Sequence, residues 1–280
     1  MERCIVLKKR IDELTQFSLH TTELGISKDR ICKEEVVVSL TSYGTRFYDC
    51  YLAVESIMQG SVKPNRIVLW VSDTLKNETV PILLQNQVKR GLEIRYSRDI
   101  RSYTKLIYAL KEFPNAAVIT IDDDIMYPYD TIENLVNVHN DCPGMICSNV
   151  VRPFPENIKS HYVSLLKWDW VKKYKEKCER YIFEGYSGVL YPPHSLNEEV
   201  FNEHVFMDIC KYADDVWFSA MAMLNKTQAV CVNPHEYFFK FIDNDNVQGQ
   251  ALKKINSQGD ILNDQQILDV FNKYNLIEGS

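Results

Sequence analysis

Short, mostly apolar stretches recur along the chain, several of them followed by a segment of helical periodicity. Val36-Val37-Val38-Ser39-Leu40 has the character of a strand buried on both faces of a sheet. A polar turn at 41–46 follows, and then Ala53, Val54, Ile57 and Met58 recur at helical spacing. The alternation continues: 66–71 predicts a strand, 79–89 a helix and 92–96 a short strand. Leu106, Ile107, Leu110 and Phe113 fall on one face of a helix over 105–113. Residues 117–121 read as another buried strand, 131–139 as a helix and 145–149 as a further strand. This order predicts an α/β fold with right-handed crossovers and a mostly parallel central sheet flanked by helices.

Beyond Val150 the rhythm loosens. Strands are expected over 162–167, 188–191 and 228–232, separated by loops rich in proline and aromatic residues. Val216, Trp217, Ala220 and Leu224 mark a helix over 213–224. In residues 1–34, Ile11, Leu14, Phe17 and Leu19 could line one helix face. Residues 243–259 are polar and read as a flexible loop before a helix near 264–274. With no internal repeat, the expectation is a single domain over 1–280. One half would cover about 35–150 and the other 151–240, with 241–280 a flexible loop and C-terminal helix.

Composition narrows the classes. The 280 residues are 45% hydrophobic and 25% charged, which suits a globular chain rather than a disordered one. A net charge of −6 argues against nucleic acid as a partner, since phosphate backbones require a basic face. The eight cysteines lack CxxC or His-paired zinc spacing, and most stand among apolar residues, as expected of reduced core thiols. A cytoplasmic location follows as an expectation. The N-terminus has too few consecutive apolar residues for a signal peptide, and no run approaches a membrane span. Any membrane contact is expected to be peripheral, at the inner face of the plasma membrane.

The distinctive chemistry is Asp122-Asp123-Asp124, delivered by Val118-Ile119-Thr120-Ile121. Ligands of open parallel sheets bind outside the carboxyl ends of the strands. Three adjacent carboxylates there repel one another unless cations offset them. Mg²⁺ or Mn²⁺ fits, because it takes oxygen ligands and needs only one or two carboxylates plus diphosphate oxygens. A solvated acidic turn or a helix cap would use the same residues.

Three stretches together resemble the GT-A-type glycosyltransferases, specifically bacterial family-2-like enzymes of surface-polysaccharide synthesis. The first, Val38-Ser39-Leu40-Thr41-Ser42-Tyr43-Gly44-Thr45-Arg46, is similar to their nucleotide-binding strand and turn. Tyr103-Thr104-Lys105-Leu106 with Asp122-Asp123-Asp124 looks like the DxD element. Ala213-Asp214-Asp215-Val216-Trp217 looks like the element that carries the catalytic base. The match spans about 35–240 and is specific in combination.

The resemblance implies a GT-A-type nucleotide-diphospho-sugar transferase fold and a metal-dependent, inverting transfer. The donor would be a nucleotide-sugar, with UDP favoured, and the acceptor a glycan or lipid-linked saccharide. Asp124 would ligate the metal and Asp122 would orient ribose or water, with Asp123 between them at the diphosphate. Thr41 and Arg46 would lie along the nucleotide, Asp73 could accept from uracil or ribose, and Lys105 could balance the diphosphate. Lys105 on a solvated helix face and Asp73 in an ordinary turn are the competing readings.

Asp215 is the candidate general base, which an inverting transfer needs beside the acceptor hydroxyl. Asp214 or Asp215 could instead cap its helix. Glu184-Gly185-Tyr186-Ser187-Gly188 resembles the acceptor loop, with Gly188 allowing close approach and Tyr186 and Tyr191 offering flat faces to sugars. His194 could line the same cleft, and His235 stands where related enzymes place a metal-binding histidine. Trp168 and Trp170 are candidates for an acceptor wall or for core packing. The alternatives to glycosyl transfer are sugar nucleotidyl transfer and a catalytically inactive nucleotide-sugar-binding protein. Against the former, 42–47 supplies one glycine and one arginine where a Gly-rich basic loop is usual.

Overall fold

A computed structural model describes residues 2–155, 164–233, 240–242 and 261–276. Its strands are β1 (Val36–Ser42), β2 (Arg66–Ser72), β3 (Leu92–Ser97), β4 (Ala117–Thr120), β5 (Ile125–Met126) and β6 (Ile146–Ser148). They continue as β7 (Val151–Pro153), β8 (Lys177–Cys178), β9 (Tyr181–Phe183), β10 (Val189–Tyr191), β11 (Ala229–Cys231) and β12 (Lys240–Phe241). The helices are α1 (Glu2–His20), α2 (Tyr51–Met58), α3 (Ile82–Lys89), α4 (Thr104–Glu112), α5 (Thr131–Asp141), α6 (Glu203–Ile209), α7 (Asp214–Leu224) and α8 (Ile261–Lys273).

Eight strands form one sheet in the order β3-β2-β1-β4-β10-β6-β11-β8. The first four are mutually parallel, as are β6 and β11. β10 runs antiparallel between β4 and β6, and β8 antiparallel to β11. Two small ribbons, β5 with β12 and β7 with β9, lie outside the main sheet.

The period of two along each strand divides the core between the two faces. Val37, Val68, Val118 and Val189 join one cluster with Leu106 of α4, Phe206 of α6, Trp217 of α7 and Phe271 of α8. Val36, Val38, Leu40, Ile67, Leu69 and Ile119 join the other, with Leu14 of α1, Val54 of α2, Leu84 of α3 and Leu135 of α5. Each fully buried Val, Leu or Ile stabilises by about 1.5–3 kcal/mol relative to exposure, so both faces must be covered.

Two expectations are corrected. Instead of a strand over 162–167, Leu165–Lys167 forms a single 3₁₀ turn, and 156–163 lie outside the described residues. The Leu165 N–H donates to Asp264 Oδ1, so its hydrogen bond goes to the α8 segment rather than to a neighbouring strand. In α1, Leu14 is buried as expected but Phe17 and Leu19 are exposed. The inward face mixes apolar Ile11 and Leu14 with polar positions: the Thr15 and Tyr51 hydroxyls meet at 2.9 Å, and the buried Ser18 hydroxyl donates to Leu83 C=O.

The predicted loop over 243–259 lies outside the described residues. No helix among the described residues is long and apolar enough to cross a membrane.

Candidate active site

Strands β1 and β4 lie side by side, so the turn after one meets the loop after the other at the carboxyl edge of the sheet. Gly44, at φ +56°, turns the chain into a short 3₁₀ segment, Gly44–Tyr48, that carries Arg46. Glycine suits that backbone because it lacks the Cβ that disfavours positive φ. The Arg46 guanidinium reaches Asp123 Oδ1 at 2.8 Å and Asp124 Oδ2 at 2.6 Å. The Ser42 hydroxyl donates to Asp123 Oδ2 at 2.6 Å.

Lys105, at the start of α4, is buried and 4% exposed. This is not the solvated helix face of the competing reading. Its Nζ lies 2.6 Å from Asp122 Oδ1 and 3.3 Å from Asp214 Oδ2, joining the two acidic sequences. Burial disfavours its charge, but Asp122, Asp214 and Asp215 outweigh that and hold the ammonium firmly protonated.

Neither Asp214 nor Asp215 caps α7: the N-cap is Ala213, without a side-chain hydrogen bond. Asp215 Oδ2 instead accepts from the Gly185 N–H at 2.8 Å. A Cβ on Gly185 would stand 2.3 Å from Asp215 Oδ1, so glycine is needed there for close approach. Burial and then neighbouring Asp214 push the Asp215 carboxyl well above the usual range, while Lys105 and the Gly185 N–H oppose that shift.

The Tyr127 hydroxyl ties the halves together. It accepts from the Asp122 N–H at 2.8 Å and donates to Tyr186 C=O at 3.0 Å. No spacing rule singles out a tyrosine three positions after a carboxylate run. Ser42 belongs to a stretch that attracts attention, but a serine hydroxyl has no signature of its own. Arg152 pairs with Glu184 and lies 5.3 Å from the ring centroid of the exposed Trp170. Trp168 is buried in the core.

Other predicted residues fall in different places. The Thr41 hydroxyl donates to Trp70 C=O at 3.1 Å. Asp73 is exposed after β2, two strands from β4. Gly188, at φ +84°, opens β10 at the aspartate edge. Tyr186 is half-buried, its phenol pushed up to about 12 by burial and Glu184.

Tyr191 is 1% exposed and packed against Phe183 and Phe218, so its ring lies in the core rather than open to a sugar. His194 does not share the cleft. β10 runs antiparallel to β4, pairing Tyr191 with Val118, so the chain leaves β10 at the edge opposite the aspartates. His235 lies outside the described residues.

The edge therefore gathers five carboxylates, Asp122, Asp123, Asp124, Asp214 and Asp215, around Arg46 and Lys105. The imbalance appears in the titration of Asp124, pushed up to about 7 by burial and by Asp122 and Asp123 despite Arg46. Burial likewise raises Asp123 above the usual range. Arg46 Nε is buried without a hydrogen-bond partner. This donor set fits a hard divalent ion that takes one or two protein oxygens and completes its shell from a diphosphate. It does not form an all-protein cage: among the described residues, no three of these aspartates bring ligand oxygens together closely enough to hold an ion.

No protein-family model matches the sequence, and no curated protein matches it. Solved structures resemble the fold. A mannosyltransferase, PcManGT from Pyrobaculum calidifontis, solved with GDP-Man and Mn²⁺, aligns over 99% of this chain and 75% of its own, with TM-score 0.51 and 15% identity. A CMP:2-keto-3-deoxy-manno-octonic acid synthetase complexed with CTP aligns over 80% of this chain and 99% of its own, with TM-score 0.46 and 10% identity. A 4-diphosphocytidyl-2C-methyl-D-erythritol synthase from Anaerococcus prevotii covers 77% and 94%, with TM-score 0.47 and 11% identity. The chain has a GT-A-like nucleotide-diphospho-sugar transferase fold, with a mostly parallel central sheet flanked by helices.

Proposed function

We propose that this chain is an inverting, metal-dependent glycosyltransferase. It would move a sugar from a nucleoside-diphosphate donor, with UDP favoured, to a hydroxyl of a glycan or lipid-linked saccharide. The observation that carries the reading is the Lys105 bridge, which couples the carboxylates after β4 to those opening α7. A binding protein would need the first group alone; a transfer reaction needs both a donor site and a base. The likeness to a mannosyltransferase solved with GDP-Man and Mn²⁺ is in keeping with this chemistry.

Asp124 and Asp122 would hold Mn²⁺ or Mg²⁺, which when bound neutralises charge building on the leaving diphosphate. Arg46 offers a planar fork to a phosphate, and its unpartnered Nε supplies a further donor. Asp215, fixed by the Gly185 N–H, would take the acceptor hydroxyl's proton. The acceptor oxygen then bonds to the sugar's anomeric carbon as the carbon–oxygen bond to the diphosphate breaks. Lys105 and the Gly185 N–H favour the ionised carboxylate that a base requires, against burial and Asp214, which favour the neutral form.

Calorimetry of UDP, with GDP as competitor, in the presence and absence of Mn²⁺ tests the donor site. Metal-dependent binding that disappears in Asp124→Asn is expected; undiminished affinity in that variant would remove the metal assignment. NMR of the transferred sugar reads the stereochemistry, and retention would remove Asp215 as a single-displacement base. Release of pyrophosphate from a nucleoside triphosphate and a sugar phosphate would replace the proposal with nucleotidyl transfer.

A further inference from the structure

We infer that Cys32, Glu34 and His139 form a second metal site, suited to a borderline ion of the Zn²⁺ class and separate from the aspartate edge. Each residue contributes one ligand atom, and these atoms lie within 4.8 Å of one another. Among the described residues this is the only group of three or more such side chains with that convergence. His139 Nε2 stands 3.1 Å from Glu34 Oε2, and the half-buried Cys32 thiol, in no disulfide, donates to the Glu34 C=O at 3.3 Å. Tetrahedral zinc with Zn–N near 2.0 Å and Zn–S near 2.3 Å requires ligand–ligand separations of roughly 3.3–3.6 Å. Modest side-chain rotation therefore brings the three ligands to zinc geometry.

The chemistry of the set selects the ion. A thiolate and an imidazole favour Zn²⁺ over the oxygen-seeking Mg²⁺ and Mn²⁺. Thiolate and carboxylate together neutralise the dication, which favours binding at a partly buried site. His139 is 3% exposed, and its Nδ1 is buried without a hydrogen-bond partner. A simple Glu34–His139 pair leaves that nitrogen unsatisfied. Thiolate ligation displaces the thiol proton, so binding weakens as pH falls.

The location separates this site from the proposed donor site. Cys32 and Glu34 precede β1, and the neighbouring Glu35 C=O accepts from the Ala117 N–H where β4 begins. The aspartates follow the opposite end of β4. His139 lies in the last turn of α5. A bound ion would clip the segment between α1 and β1 onto α5, with water filling the fourth position. The ion would lie at the end of β4 opposite the aspartates.

The test uses the whole chain, stripped with a chelator and titrated with Zn²⁺ alone. We expect one equivalent to bind with a rise in Tm, and Co²⁺ to give a thiolate charge-transfer band in the near ultraviolet. Cys32→Ser and His139→Gln should each abolish the Zn²⁺ event and the Co²⁺ band, with circular dichroism and Mn²⁺-dependent UDP binding unchanged. If either variant fails to fold, Glu34→Gln is read the same way, because it can keep a hydrogen bond to His139 while removing the ligand charge. Absence of the Zn²⁺ event in the wild type, or its survival in the folded variants, overturns the inference.

Discussion

The two sides of β4 are built differently. On one side, β3, β2, β1 and β4 are parallel, and each strand of the set gives its following turn to the same edge. That repetition brings Ser42 and Arg46 onto Asp123 and Asp124. On the other side the directions are mixed: β6 and β11 are parallel, β8 runs antiparallel to β11, and β10 enters the sheet antiparallel at the edge where β4 leaves it. The loop before β10 therefore lies beside the aspartates, and Gly185 in that loop fixes Asp215. Had β10 been parallel to β4, its preceding loop would lie at the opposite edge. In the proposed reaction the regular half would bind the donor and the irregular half would supply the base, with Lys105 and Tyr127 at the junction.

The strongest way to break that division is to damage each half separately. Asp215→Asn should lower transfer by about 10²–10⁴-fold, the usual contribution of a positioned general base. Affinity for UDP with Mn²⁺ should remain. Asp124→Asn should give the reverse, with donor affinity lost first. Steady-state turnover beside calorimetry on both variants is the measurement. Loss of donor binding in Asp215→Asn would mean that the two halves do not divide the work.

Lys105→Met tests the junction. It leaves Asp122 and Asp214 without their shared cation, and breaking a buried ionic contact costs about 3–5 kcal/mol. Urea unfolding should register a loss near the lower end, because Asp122 is partly exposed. Adding Asp214→Asn should recover part of it, since groups in contact are non-additive. Strict additivity would show that Lys105 does not couple the two sequences energetically.

Gly185→Ala should have a smaller, more selective effect. The new Cβ must displace the Asp215 carboxylate from a 2.3 Å contact. A displacement approaching 1 Å can reduce turnover by about 10²-fold. We expect a fall in kcat with donor affinity preserved. An unchanged kcat would mean that the Gly185 contact does not position the base.

The same contrast explains what could be read from the sequence. The parallel half declares itself through local rules: Val36 to Leu40 and Val118 to Ile121 are apolar runs broken only by Ser39 and Thr120, and the helices between them keep a 3.6 period. A carboxylate run ending such a strand points to an edge site before any contact is known. The irregular half depends on long-range pairing. Nothing local tells that β10 is antiparallel, and that direction sends His194 away from the site and buries Tyr191. The Lys105 contacts with Asp122 and Asp214 cross 17 and 109 positions of sequence, beyond the reach of periodicity. Polar inward positions such as Thr15 and Ser18 mislead a hydrophobicity reading of α1 for a similar reason, because their partners lie on other elements.

The mildest test concerns the metal-free protein and the charge stored at the aspartate edge. Asp124 has its folded pKa raised from 3.8 to about 7, chiefly by burial. Between those values the native state holds a proton that the unfolded chain has released, so its contribution favours folding at low pH and is lost as pH rises toward 7. Above that, both states are ionised and the contribution levels off. The slope for one proton is at most about 1.4 kcal/mol per pH unit. Subtracting the urea-unfolding profile of Asp124→Asn from that of the wild type should isolate this declining difference. Mn²⁺ with UDP should flatten the wild-type decline, because a ligand held by the native state alone offsets the uncompensated charge. A wild-type-minus-variant profile that stays level between pH 4 and 7 would show that the pairing with Arg46 already neutralises the regular half, leaving the imbalance with Asp214 and Asp215.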